Sequence, residues 1–485
     1  MKVLLVEPPK TPWEMMGDVV APPLGLATLA ASLERGGIPV RILDANAQGI
    51  GWSGLRAAIA EDAPDVVGIT TLTPYYPHAR RTCRITKAAC PDVVTVLGGP
   101  HVTFLAEETL LSAPEVDVVV RGEGDATLVE LVHCLAKGGD LGTVPGLAFR
   151  DDGGVIQTPD PPPVDVRALP LPAYHLLPME AYHFEGLGGP FTTVQASRGC
   201  PHRCTFCAEW SFWKHGWRPR DPEAVIEELE LVVKGYGRRA VWFADDCFNV
   251  SGEMIRAICE GILERDIEVS WFYQGRADLL VRYKELLPLM QRAGNRMVQL
   301  GIEASSDDEL EDLNKRLSVE QVKEAVALLR QHDIVCQGML IIGTRNDSPR
   351  TIRRKVAFAR WLDLDFPIFT VCTPFPGSSL FEQARAEGWV EEPPDYARYD
   401  MAHFLMDTEH MSRRQLAAWY PWCYTHTYLD PVRLARGLFS RNEWKRRIWR
   451  IMVGYNLKQL ARAFWFGIPI PKYARRDERR TDAST

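Results

Sequence analysis

Short β-branched and apolar runs alternate with helical stretches along most of this chain, and that rhythm admits few architectures. Lys2 to Val6, Val40 to Leu43, Val66 to Thr70, Val93 to Leu97 and Val116 to Val120 read as strands, with an apolar helix over Gly25 to Arg35. Strands so uniformly apolar are buried on both faces, the condition of a parallel sheet covered by helices. Residues 1–145 are therefore expected to form a doubly wound α/β domain. A second series occupies 191–385, with strands at Phe191 to Ser197, Ala240 to Ala244, Ser270 to Gly275, Met297 to Leu300, Gln337 to Ile342 and Ile368 to Val371. Between the two series, Pro159, Pro161, Pro162, Pro163, Pro170, Pro172 and Pro178 mark 146–190 as a linker, because proline interrupts regular ladders. Residues 386–485 read as a mainly helical C-terminal region.

Parallel sheets bind ligands beyond the carboxyl ends of their strands, and barrels of alternating strands and helices do the same. In the first series those positions hold Pro23, Leu24 and Gly25, then Thr70 and Thr71, then Gly98, Gly99 and His101, then Gly122, Glu123 and Gly124. Such glycines either let a backbone approach a bulky ligand or serve as ordinary turn residues. In the second series the tips carry Asp245 and Asp246, Arg276, Glu303, and Ser305. Asp245 and Asp246 suit either ligand binding or helix capping. Arg276 could make a fork-shaped contact with a carboxylate, and Glu303 could accept hydrogen bonds from ribose hydroxyls. Cys247, Cys336 and Cys372 also lie near strand ends, where a buried thiol is usually an inert core residue.

The sharpest chemical statement is the run Ser-Arg-Gly-Cys200-Pro-His-Arg-Cys204-Thr-Phe-Cys207, directly after the strand that opens the second series. Three clustered thiolates can hold three irons of a cubane iron–sulfur cluster and leave the fourth open to a small molecule. Structural zinc wants four protein ligands, commonly in two pairs, and no second pair follows His202 closely. A disulfide would leave one thiol over. The 11 scattered cysteines and the briefly apolar start Met-Lys-Val-Leu-Leu-Val-Glu predict a reducing, cytoplasmic setting.

The C-x3-C-x2-C triplet after a first strand resembles the radical S-adenosylmethionine (SAM) enzymes, whose cluster loop opens a partial β/α barrel. Pro-Pro-Leu-Gly-Leu-Ala, Gly-Gly-Pro-His and Arg-Gly-Glu-Gly, in this order, resemble the cobalamin-binding domain that precedes the barrel in one subclass. The resemblance spans roughly residues 1–380. It implies a 4Fe–4S cluster on Cys200, Cys204 and Cys207, with SAM near Phe206, Asp245, Asp246, Arg276, Glu303 and Ser305. It implies cobalamin along the loops of the first sheet named above, and an electron donor such as flavodoxin or ferredoxin. The Asp-x-His-x-x-Gly run that supplies a lower cobalt ligand in mutases is absent. His101 is the nearest candidate, equally suited to the corrin edge or to solvent.

In the largest group of this subclass, one SAM methylates cobalamin, a second yields a 5′-deoxyadenosyl radical, and the substrate radical takes the methyl group. A C-methyltransferase of small molecules is thus the leading expectation. The alternative is an oxidative cyclase like anaerobic magnesium-protoporphyrin monomethyl ester cyclase. A methylthiotransferase that modifies RNA or protein fits less well, because Cys83, Cys90 and Cys134 are too dispersed for a second cluster.

The net charge of −7 argues against a general nucleic-acid binder, and no apolar run is long enough to cross a bilayer. Between Arg433 and Arg450 seven basic residues face one acid, Glu443, with Leu434, Leu438, Trp444, Ile448 and Trp449 interleaved. This pattern fits either a helix on an anionic membrane, suiting a lipophilic substrate, or a helix packed on the barrel. Trp419, Tyr420, Trp422 and Tyr424 fit either an aromatic pocket or a core. Gly467 to Pro471 and the charged end read as loosely ordered.

Overall fold

The computed structural model describes residues 1–10, 19–214 and 216–466, without the side chains of 455–466; the expectation for Gly467 to Pro471 lies outside them. Two parallel sheets dominate. The first contains β1 (Val3–Glu7), β2 (Val40–Asp44), β3 (Val66–Thr70), β4 (Val94–Gly98) and β5 (Val118–Val120). Two antiparallel strands, β6 (Leu147–Asp151) and β7 (Gly154–Gln157), complete it in the order β2-β1-β3-β4-β5-β6-β7. The strand order reverses between β1 and β3, which places the switch point, and with it the expected ligand crevice, at their carboxyl ends.

The hairpin β6–β7 corrects the boundary read from the sequence, where 146 opened the linker. The prolines begin only at Pro159, and Asp152-Gly153 supplies the turn between two alternating apolar runs. The rest of that stretch joins the two sheets. Ala173 donates its N–H to Ala27 at 3.0 Å, Tyr174 donates its hydroxyl to the Thr193 carbonyl at 2.9 Å, and Tyr182 reaches Asp44 at 2.9 Å.

The second sheet is a half barrel in which β8 (Gly189–Val194), β9 (Ala240–Phe243), β10 (Ser270–Arg276), β11 (Asn295–Glu303), β12 (Val335–Ile342) and β13 (Phe366–Val371) run parallel and side by side in chain order, and the short antiparallel segments His183–Phe184 and Val19–Val20 extend it beyond β8. Phe191, Ala240, Phe272, Met297, Val335 and Phe366 form an apolar floor on its concave side.

The basic C-terminal helix Glu443–Phe466 closes that floor from below. Ile448 and Trp449 are buried, with the Trp449 ring 5.9 Å from Phe366 and 5.6 Å from Tyr428. Lys445 pairs with Asp365, and Asn442 donates to the Asp333 carbonyl at 2.9 Å, which fixes the helix at the amino ends of β12 and β13. Of the two readings of this segment, the packed one holds: its apolar residues cover the barrel. Among the described residues no helix is long and apolar enough to cross a membrane. Trp449→Ala should cost about 3 kcal/mol by opening a cavity in the floor, measurable by chemical denaturation; a loss under about 1 kcal/mol would show that the floor closes without it.

The aromatic cluster is likewise largely core. Tyr424 accepts from the Phe369 N–H at 3.2 Å and donates to its carbonyl at 3.0 Å, capping the free edge of β13. Cys336 and Cys372 are buried, and burial pushes the Cys372 thiol up to about 12.

Candidate active site at the junction of the two sheets

After β8 the chain turns sharply, and the turn is fixed from the neighbouring strand. Both oxygens of buried Asp245 are engaged, one by the Ala196 N–H at 3.0 Å and one by the Ser197 hydroxyl. Burial raises the Asp245 carboxyl to about 7. Asp246 accepts the N–H of Gly199 at 3.0 Å. Gly199 has φ of +91°, and a side chain there would collide with the Gly216 carbonyl, so this position before Cys200 requires glycine. Asp245 and Asp246 thus shape the entry to the cysteine loop.

The loop Cys200 to Cys207 is tied to distant parts of the barrel. Thr205 donates to the Leu313 carbonyl at 3.1 Å and accepts from Leu380 at 2.9 Å, and Asn314 donates to the Arg203 carbonyl at 2.6 Å. The three thiols are free. Among the described residues no three His, Cys, Asp or Glu side chains converge on a single ion. A cubane cluster gives each thiolate its own iron, so its cysteines need not converge. Cys247 is buried beside Cys200, and Glu209, two residues beyond Cys207, is raised to about 8 by burial and by its neighbour Asp246.

Opposite the loop, Arg276 at the end of β10 is 4 % exposed. Its Nε and Nη2 hold Asp278 at 3.0 and 3.2 Å, and Nη2 also donates to the Lys315 carbonyl at 2.7 Å, while Nη1 is buried with no partner. Glu303, at the end of β11, takes φ of +63° and pairs with buried Lys315 at 2.6 Å. A non-glycine residue in that region is strained and is held there only by its surroundings. Lys315 sits 5.9 Å over the Phe206 ring, between Asn314 and Arg316, which also have positive φ. The Ser305 hydroxyl is bound to Glu309 at 3.1 Å and accepts from Arg354 at 3.2 Å. Cys200, Cys204, Cys207, Phe206, Arg276 and Glu303 thus share one mouth; Ser305 belongs to a neighbouring polar network.

The carboxyl edge of the first sheet faces this mouth. Pro23 precedes the helix Leu24–Arg35, and a Cβ added at Gly25 or at Gly122 meets nothing within 4 Å. Gly99, with φ of +103°, would place a Cβ 2.7 Å from the Thr71 carbonyl oxygen, so it allows two loops to pack, with Gly98 ending β4 before it. The Thr71 hydroxyl and His101 Nε2 are buried without partners; Thr70 ends β3. His101 is 1 % exposed, its ring 4.2 Å from Tyr76 and 4.5 Å from Tyr396, and burial lowers it to about 3. It is therefore neutral, and the solvent contact allowed by the sequence does not occur. Glu123 spends its carboxylate on Arg198 and Arg218, both at 2.8 Å, and a Cβ at Gly124 would press on Leu29.

Sequence reasoning missed Arg198, Asp125, Lys315 and Phe104. Phe104, just past Gly-Gly-Pro-His, fills the space a side chain would need at Gly377 and lies 6.4 Å from Phe212, so it joins the two domains beside the cysteine loop. No periodicity marks such contacts; only the position of Arg198 within Ser-Arg-Gly-Cys hinted at one.

Two family models match the chain, the B12 binding domain over residues 18–132 and the Radical SAM superfamily over residues 194–356. An uncharacterized methyltransferase of Pyrococcus horikoshii is 33% identical over 444 residues, covering 91% of this chain and 95% of the relative. The chain belongs to the cobalamin-binding radical SAM family. An anaerobic magnesium-protoporphyrin IX monomethyl ester cyclase of Rubrivivax gelatinosus is also 33% identical, over 424 residues, 86% of this chain and 75% of the cyclase. The fold matches the radical SAM methyltransferase TsrM from Kitasatospora setae, with cobalamin and a 4Fe–4S cluster bound, at a TM-score of 0.71 and 18% identity, covering 94% of this chain and 99% of that one.

The chain is thus a radical SAM enzyme, and the groups its family uses are a 4Fe–4S cluster, SAM and cobalamin. The residues present fit them. Three free thiols occupy one pinned loop, and the buried, unpartnered Nη1 of Arg276 offers a donor to an anionic group. The open space at Gly25 and Gly122, with the unpartnered Thr71 hydroxyl, suits a bulky polar-edged ligand on the first sheet.

Proposed function

We propose that this enzyme is a C-methyltransferase that places a methyl group on an unactivated carbon of a small-molecule substrate. One observation carries the choice: the Pyrococcus methyltransferase combines 33% identity with a match over 95% of its length, whereas the Rubrivivax cyclase reaches that identity over only 75% of its length and a Synechocystis cyclase matched over 91% is 27% identical. The equal identity of the cyclase keeps ring formation as the second reading.

When bound, the cluster with SAM supplies a hydrogen-abstracting radical, and cobalamin supplies the methyl group. In this reading Cys200, Cys204 and Cys207 hold the cluster. Arg276 Nη1 binds the SAM carboxylate, with Phe206 and Glu303 flanking the nucleoside. Gly25, Thr71 and Gly122 border the cobalamin, and His101, neutral and enclosed by Tyr76 and Tyr396, shapes its pocket wall. The substrate carbon lies between the two sheets, where Phe104 and Phe212 exclude water. An electron carrier of the flavodoxin or ferredoxin type supplies the reducing electron.

Arg276→Met should weaken SAM binding by about tenfold to a hundredfold, the loss of a charged hydrogen bond, read by equilibrium dialysis of the reconstituted protein; unchanged affinity would remove Arg276 from the SAM site. The function itself is tested by product analysis. Methyl transfer predicts substrate-dependent S-adenosylhomocysteine and 5′-deoxyadenosine in equal amounts. Formation of 5′-deoxyadenosine with no substrate-dependent S-adenosylhomocysteine would favour the cyclase reading instead.

A further inference from the structure

A group of four charges, three of them buried, links the two sheets. Arg198 Nη1 reaches Glu123 at 2.8 Å and Asp125 at 2.7 Å, and its Nη2 takes the second Asp125 oxygen at 3.1 Å. Arg218, paired with Arg198 on the short ribbon Ser197–Arg198 and Arg218–Pro219, holds the other Glu123 oxygen at 2.8 Å. The Arg198, Glu123 and Asp125 side chains are each 10 % exposed or less, and both guanidinium groups lie within 6 Å of the Trp213 ring. Two cations and two anions balance, so the group can be buried without net charge.

Its placement gives it a use. Arg198 stands two residues before Cys200, and Glu123 stands next to Gly122, whose free side faces open space at the cobalamin edge. Between the cysteine loop and that edge the path is short and made of turns held by hydrogen bonds. A two-pronged arginine–carboxylate contact fixes orientation as well as distance, which lysine cannot reproduce. Radical generation and methyl donation must address the same carbon, and small displacements of reacting groups cost large factors in rate.

We propose that Arg198 is a positioning residue: with Glu123, Asp125 and Arg218 it sets the distance between the cysteine loop and the cobalamin-facing edge of the first sheet. Glu123 thereby acts through Arg198 on the geometry of the site. The inference needs both cofactors on the chain but does not depend on whether the product is methylated or cyclised.

The test uses the reconstituted holoenzyme with cobalamin in the Co(II) state and the cluster reduced. Pulsed electron paramagnetic resonance gives the cobalt-to-cluster distance distribution for the native protein, Glu123→Gln and Arg198→Lys. The expected result is a single narrow distribution that widens at least twofold in both variants while iron and cobalt content stay at native levels. Unchanged widths in both variants would overturn the proposal. Should either variant lose a cofactor, hydrogen exchange of the protein without cofactors decides. In Arg198→Lys the amides of 200–207 should exchange at least tenfold faster while those of β1 and β11 keep native rates. Equal rates in the loop, or uniform acceleration throughout, would show a purely structural role.

Discussion

Cys204→Ala is expected to reduce bound iron from about four atoms per chain to less than one and SAM cleavage by at least about a thousandfold, while cobalamin is retained within twofold of native. With one thiolate removed, two cysteines remain on the loop, too few to hold a cluster that leaves its fourth iron open. The fold should survive. The loop is held through the backbone and side chains of Arg203, Thr205, Leu313, Asn314 and Leu380, none of which is a thiol, and an alanine in this place leaves a cavity of one sulfur atom. The residues proposed to border cobalamin belong to the other sheet, which meets the surroundings of the loop through the Arg198 and Arg218 ion pairs and through Phe104 and holds none of the three thiols. Iron and cobalt analysis of the same sample reads both halves. Native iron in the variant would dismiss the loop as the cluster site, and loss of cobalt together with iron would show that the two sites do not assemble separately.

Lys355→Met is expected to destabilise the chain by roughly 3–5 kcal/mol, the effect of leaving a buried charge without its counterion. Lys355 and Asp347 are each 1 % exposed, and the ammonium lies 2.8 and 2.9 Å from the two carboxylate oxygens. Asp347 also accepts the N–H groups of Gly343 at 2.7 Å and Thr344 at 3.2 Å, and the Thr351 hydroxyl at 2.7 Å. It therefore holds the loop after β12, where Gly343 packs under Phe404. The double change Asp347→Leu with Lys355→Met should recover part of the loss by removing both charges, at the expense of that loop's hydrogen bonds. Denaturant unfolding measures both. A single-variant loss below about 1 kcal/mol would mean that water and the Gly343, Thr344 and Thr351 donors already satisfy Asp347 without the ammonium.

Both sheets were legible in the sequence because buried parallel strands must be apolar on both faces, and Val3 to Val6 or Val118 to Val120 leave no other reading. The cysteine loop was legible because thiolate spacing is a local property. What depended on tertiary pairing was not. Glu123 read as part of a ligand loop, yet its partners, Arg198 and Arg218, stand far along the chain on a two-residue ribbon that no propensity marks. Ser305 followed the right strand, but a local contact with Glu309, four residues on, engages its hydroxyl. Lys315 stood in an undistinguished Asn-Lys-Arg stretch, and only the positive φ of its neighbours shows that the chain bends to deliver it to Glu303. The hairpin β6–β7 was lost to a proline cluster that begins two residues after it ends.

One chain is expected to bring a cluster and a cobalamin to face each other across the junction of its two sheets. Iron, sulfide and cobalt content of protein reconstituted without oxygen in the presence of cobalamin tests it most directly. About four irons, four sulfides and one cobalt per folded chain are expected. Four irons with no cobalt retained would contradict it and leave a radical SAM enzyme whose first sheet serves some other ligand.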